Sequence, residues 1–261
     1  MSKNGFLALV SLVSFAILVA LPLVIAHSQS EQTAVVRLRV RVKANDAAQL
    51  HGVPRKRFFL MHGSRAQNHA LVEAIEGQPL TTRDCYYQKN GASAALINWL
   101  KDSDCESVYC REVEQQFVSG PKAVPEFATA FAASEKEFGS GSIALKWLTT
   151  NLPANLRDGF YRDRRQALDA LLKQAQTTSG APVQSVMTDR KGTAYFTDLA
   201  AGTYFLSNLV PTELGQTLAI WDCELQIKPD DLASEKQYLI SNRNDRLVKC
   251  VAVEKPIPVC Q

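Results

Sequence analysis

The chain has 261 residues, and its 29 Lys and Arg nearly balance 26 Asp and Glu, for a formal net charge of +3. The two signs are interspersed along most of the chain, which excludes the basic footprint of a nucleic-acid binder. Six cysteines without any Cys-x-x-Cys spacing exclude a zinc ribbon and a thioredoxin-type redox motif.

Residues 6–26 are an uncharged apolar run behind Lys3. The run outlasts the roughly 7–15 residues of a signal-peptide core and matches the about 20 of a membrane span. Pro22 near its end and the small residues Ala26 and Ser28 suit cleavage instead. Residues 1–30 therefore read as a cleaved signal peptide or a retained anchor. The remaining alternative is a buried helix of the globular part, which so uniform a run would need to bury completely. In both main readings the rest of the chain is exported, as a periplasmic, cell-envelope or secreted protein, and any membrane contact is confined to residues 6–26. Cys85, Cys105, Cys110, Cys223, Cys250 and Cys260 form an even set, which in an exported chain points to disulfides.

In residues 33–64, Val36, Leu38, Val40 and Val42 alternate with Arg37, Arg39, Arg41 and Lys43, the period of a half-buried strand. The basic face reads as a solvated face that guards an edge, the alternative being a surface for anionic partners. A second strand is expected over residues 57–61, closed by Gly63.

The period changes in residues 65–180. A short helix is expected over residues 70–75, stopped by Gly77. Another runs from a Ser93 cap through Trp99, and a third spans residues 106–117. One opened by Pro125 continues to Phe138, with Phe127, Phe131 and Phe138 on a shared stripe. Ser142 can cap the next, through Trp147 and Leu148. The longest covers residues 155–176, with Leu168, Leu171 and Leu172 on its apolar side. Against connections of about 4–6 residues, this is a helical insertion.

The strand period returns in residues 181–261. Val186 begins a strand, and residues 189–192 turn with Gly192 in fourth place. Strands follow over residues 193–197 and 203–207, separated by a turn from Leu199 to Gly202. Residues 217–227 alternate with Trp221, Cys223, Leu225 and Ile227 on one side. Residues 237–240 and 247–253 close the series. Short strands between turn signals describe an all-β sandwich.

Thr188 and Asp189, Gly192, Ala194 to Phe196, Leu199, Gly202, Tyr204 and the apolar pair Phe205 and Leu206 together resemble the carboxypeptidase-regulatory-like and Cna-B-like family of prealbumin-type sandwiches. The resemblance is strong over residues 185–227. Gly192 and Gly202 can take positive φ at the turns. Leu199 and Tyr204 would close one end of the core, with the tyrosine hydroxyl on a backbone partner. The fold class that follows is α+β: an antiparallel prealbumin-like β-sandwich interrupted by an α-helical insertion and preceded by an N-terminal apolar helix. The insertion departs from the compact family pattern. The resemblance implies a non-catalytic module that supports folding, adhesion, spacing or carbohydrate contact. Some Cna-B-like relatives form a Lys–Asn isopeptide bond, for which Lys43 with Asn242 or Asn244 would be the candidates here, although residues 247–253 hold no Asn.

Catalytic constellations are sparse. No Gly-x-Ser-x-Gly elbow anchors a hydrolase triad. His51, His62 and His69 match no helical zinc spacing. Glu135 with Glu137, and Asp102 with Asp104, fall on helix surfaces and loops. Arg162, Asp163, Arg164 and Arg165 form a charge run that is either a salt-bridged solvent face or an anion site. Tyr86 and Tyr87 beside Cys85 are either an aromatic platform or the surroundings of a disulfide. No cofactor or metal is called for.

Three cysteines fall in the insertion and three in the sandwich. Full oxidation therefore requires an odd number of bridges between the two, at least one, and the simplest set has one more bridge within each. The function expected is an exported, non-catalytic envelope or secreted module, a spacer if the anchor is retained, that binds a protein or glycan partner through the insertion. The competing expectation is an exported hydrolase with its site between insertion and sandwich.

Overall fold

A computed structural model describes residues 32–43, 49–79, 81–103 and 105–260. The leader expected over residues 1–30, and Asp104, lie outside them. Among the described residues no helix is long and apolar enough to cross a membrane.

The elements run β1 (Ala34–Val42), β2 (His51–Gly52), β3 (Arg57–His62), α1 (His69–Glu76), α2 (Arg83–Lys89), α3 (Ala94–Lys101), α4 (Pro125–Phe138), α5 (Gly141–Trp147) and α6 (Phe160–Ser179). After these come β4 (Gln184–Met187), β5 (Thr193–Leu199), β6 (Gly202–Ser207), β7 (Thr212–Leu214), β8 (Thr217–Ile220), β9 (Asp222–Ile227), β10 (Glu235–Ser241), β11 (Cys250–Val251) and β12 (Val253–Pro256). The fold is mixed α+β, and most of its strand pairs are antiparallel. One sheet has the order β11-β10-β1, with β2 and β5 sharing the far edge of β1. A second has the order β4-β3-β6-β9, and a third β12-β8-β7.

Alternation places Val36, Leu38 and Val40 of β1 on one face, where they share a core with Phe196 and Ile240 of their own sheet. Phe58, Leu60, Leu206, Leu225 and Ile227 reach the same core from the second sheet. Trp221 is fully buried there, with its ring 5.7 Å from that of Phe58 and its indole N–H donating to the Ser241 carbonyl at 3.0 Å. The other face of the second sheet does not meet water. Phe59, Met61 and Phe205 pack against Leu71 and Ile75 of α1 and Leu171 and Ala175 of α6. The second sheet is thus a middle layer, which is why Phe58, Phe59, Leu60 and Met61 form a continuous buried run rather than an alternating one. A separate helical core gathers Tyr87, Leu96, Trp99, Phe127, Leu148 and Phe160.

Several expectations are corrected. The sandwich is not wholly antiparallel: β1 pairs in parallel with β10, and β10 in parallel with β11. Strand β1 has neighbours on both sides, so its arginines do not guard an edge. They are half-buried, and Arg37 lies 3.7 Å from Glu235 on β10. Residues 106–117 form no α-helix but two 3₁₀ turns, Val108–Cys110 and Gln115–Phe117. Cys105 and Cys110 are bridged with Cα atoms 5.7 Å apart, whereas five residues of α-helix rise about 7.5 Å. Residues 217–227 are two strands, broken at Trp221, whose backbone N–H donates to Asn208 Oδ1 at 3.0 Å. Residues 247–253 likewise give way to the short β11 and β12, and Leu247 is exposed. Ser140, not Ser142, precedes the first turn of α5. The phenylalanine stripe divides, with Phe127 buried and Phe138 exposed. Ser93 caps α3, its hydroxyl accepting the Leu96 N–H at 3.1 Å.

The bridges are Cys105–Cys110 within the helical part, Cys223–Cys250 within the sandwich, and Cys85–Cys260 between the two.

Candidate functional site

Two turns of the sandwich meet over one buried hydroxyl. Thr188 precedes the turn between β4 and β5, and its side chain donates to the Val53 carbonyl at 2.7 Å and accepts the Lys56 N–H at 2.9 Å. Its backbone N–H donates to the Lys56 carbonyl at 2.9 Å, and its carbonyl accepts the Arg55 N–H at 3.0 Å. These bonds hold Arg55 at φ 55°, a left-handed conformation that is uncommon outside glycine. The neighbouring turn is held by Asp189, whose Oδ1 accepts the Lys191 and Thr193 N–H groups, each at 2.8 Å. Those N–H donors, Thr193 foremost, hold the Asp189 carboxyl below its ordinary pKa. Gly192 closes the turn at φ +71°, where a Cβ would stand 2.5 Å from the Val40 carbonyl oxygen and 2.7 Å from the Val53 nitrogen. Gly52 lies against the same backbone, a role for which its sequence gives no signal.

Between these turns, the second sheet and α6 opens a cleft of about 580 Å³. Its rim carries Arg55, Lys56, Arg57 and Arg190 from the sandwich and Arg164 and Arg165 from α6. Among the described lining residues Glu106 is the one carboxylate. Arg164 ties the two parts together, pairing with Glu106 and donating to the Pro211 carbonyl at 3.0 Å. Arg57 donates to Ser185 Oγ at 3.3 Å, and Arg165 to Asp169 at 2.9 Å. Arg55 and Arg190 have no carboxylate within ion-pair distance among the described residues. Asn208 pins the opposite wall, its amide donating to Val210, Thr212 and Ala219.

The charge run on α6 therefore divides. Arg162 pairs with Asp158 and Arg165 with Asp169 along the exposed helix, while Arg164 turns inward. Tyr87 is buried and donates to the Glu106 carbonyl at 3.1 Å. Burial pushes its hydroxyl pKa up, and Tyr86 stacks edge-on against it at 5.5 Å, so Tyr87 is core and Tyr86 packs half-buried against it. Leu199 and Tyr204 both lie in the sandwich core, and the Tyr204 hydroxyl donates to the Ala200 carbonyl at 2.9 Å. Gly202 opens β6. Asn242 meets the Lys43 backbone. Its side chain accepts the Lys43 backbone N–H and donates to the Lys43 carbonyl, each at 2.9 Å. His51, His62 and His69 are exposed, and the described residues contain no group of three His, Cys, Asp or Glu placed to hold a metal ion. Glu137 accepts from the Asn151 amide on the helical surface.

Sequence reasoning missed Arg55, Arg190 and Gly52. Arg55 and Arg190 are single residues in turns and Gly52 lies in the short β2, and only the fold brings these segments together.

No protein family and no curated protein matches the chain. Among solved structures, the pilus backbone RrgB of Streptococcus pneumoniae aligns at 11% identity and a TM-score of 0.20, over 79% of this chain and 40% of that chain. The full-length major pilin RrgB of the same organism aligns at 12% identity and a TM-score of 0.22, over 79% of this chain and 30% of that chain. This chain thus spans less than half the length of either, and superpositions so loose carry no functional argument.

Proposed function

We propose that the protein is an exported, non-catalytic binding module of the cell surface, a prealbumin-type sandwich whose helical insertion adds a ligand seat at their junction. The observation that carries this reading is the cleft of about 580 Å³, lined from both parts by arginine and lysine. General acid–base chemistry needs groups that exchange protons near the operating pH. Arginine stays protonated, so a guanidinium-lined cleft binds and orients without transferring protons. Glu106, the carboxylate at hand, is held by Arg164. The three disulfides support an oxidising, extracytoplasmic location, to which residues 6–26 would deliver the chain.

The whole chain, incubated with an extract of envelope polymers and followed by mass spectrometry, is expected to retain ligand without generating new fragments. Accumulation of new fragments with time refutes the reading and favours the exported hydrolase. Carbonate-resistant membrane association would make the module an anchored one, and a soluble exported form would show that the leader is cleaved.

A further inference from the structure

We infer that the cleft takes a short anionic oligosaccharide, with Arg55 and Arg190 as the two forks that grip its carboxylate or phosphate oxygens. The inference rests on the reading of the cleft as a ligand seat and adds the chemistry of what sits there.

The cations of the cleft are not equivalent. Arg57, Arg164 and Arg165 already donate to Ser185, to Glu106 and Pro211, and to Asp169. They set a positive field but have part of their hydrogen-bonding capacity committed. Arg55 and Arg190 are exposed and meet no carboxylate among the described residues. Each sits on a turn fixed from beneath, Arg55 by the Thr188 clasp and Arg190 by the bonds to Asp189. A non-glycine residue held in the left-handed region marks backbone that its surroundings over-determine, as ligand clamps often are. A guanidinium presents a planar fork suited to bidentate contact with carboxylate or phosphate. Two forks on adjoining rigid turns therefore suit a ligand with more than one anionic group.

The size and lining choose the class. A cleft of about 580 Å³ falls in the range of roughly 300–1,000 Å³ that holds small ligands, rather than offering the flat face a folded partner needs. A peptide would seek apolar seats for its side chains. Here Phe59 is buried in the core under the helices, and Leu168 and Val210 are packed against it with only part of each side chain open to the cleft. The exposed uncharged residues of the lining are Pro54, Tyr161 and Met187, with Ser103 half-buried beside them. An exposed tyrosine ring beside charged forks suits a hydroxylated and charged ring.

The test is calorimetric titration of the whole chain with trigalacturonate and with a phosphorylated mannotriose. Maltotriose serves as the neutral sugar, and triglutamate and inorganic triphosphate as charged ligands without sugar. At least one anionic sugar is expected to bind, and the one that does identifies the charged group. That affinity should fall as salt is raised, and by about tenfold or more in each of Arg55→Ala and Arg190→Ala. Lys122→Ala, on the helical surface, should leave it unchanged, and circular dichroism should show all three variants folded. Binding of neither anionic sugar, binding that both arginine substitutions leave intact, or equal binding of maltotriose overturns the inference. Triphosphate or triglutamate binding as tightly as the anionic sugars also overturns it, but leaves the cleft a ligand seat for a different anion.

Discussion

Thr188 shows how much one hydroxyl can organise. It is buried, and it bonds two backbone positions, Val53 and Lys56, on a loop 132 residues away in the chain at its nearer end. Thr188→Val keeps the shape but strands those partners, at a cost of about 1–3 kcal/mol. Urea denaturation should show a lowered midpoint with an unchanged slope, and no change would mean that the clasp does not hold the turn. Asp189 acts through charge. Its folded pKa lies below the ordinary value, so its contribution is complete above the unfolded pKa of about 3.9 and is lost as pH falls through the lower folded value. The Lys191 and Thr193 amide resonances should therefore move together below about pH 4, and in Asp189→Asn that acid transition should vanish. Tyr238 works in the opposite direction. Burial, and then Glu224, push its pKa up to about 12, so its contribution is complete below the unfolded value of about 10 and is lost as pH rises through the folded one. Absorbance at alkaline pH should find it among the last tyrosines to ionise.

The elements differ in how plainly they are written. The alternation of Val36, Leu38, Val40 and Val42 announces β1 because one face of its sheet is buried and the other is not. The strands β3 and β6 carry no such period, because helices cover the outer face of their sheet, and their flanking turns are the better signal. Periodicity also says nothing about partners, so the parallel pairing of β1 with β10 could not be read from either strand. Residues 106–117 carry Val108 and Val113 among Glu and Gln as a helix would, yet the Cys105–Cys110 bridge constrains that stretch into turns. The turn at Asp189 to Gly192 was legible from its residue types; the cleft was not, since Arg190 is a variable position within that turn, Arg55 belongs to no motif, and the two meet only in three dimensions. Gly192 tests the turn. Alanine there would combine a positive φ with a Cβ 2.5 Å from the Val40 carbonyl oxygen, a loss of about 2–4 kcal/mol. A melting temperature equal to that of the parent would show that the turn has room to adjust.

At the scale of the whole molecule, Cys85–Cys260 links residues 175 positions apart, joining the helical part to the end of the described chain. Replacing both cysteines with serine should lower stability by about 2–4 kcal/mol and expose the segment around Pro258 to proteolysis. Peptide mass mapping without reductant should recover this pair in the parent protein, and recovery of Cys85 in any other pairing would contradict it. The parallel pairing of β1 with β10 has a consequence in time as well. Lys43 and Asn242, at one end of that pairing, are 199 positions apart, so a chain emerging from its amino end presents β1 long before its partner exists. During that interval a run of Val and Leu with high β-propensity waits unpaired, in the condition that invites association between chains. The arginines that are half-buried in the finished sheet would then serve as chaperoning charges during synthesis. Arg39→Ala with Arg41→Ala should lower the soluble yield on refolding from dilute denaturant more than it lowers the midpoint of unfolding, and a yield that only tracks stability would deny them that role.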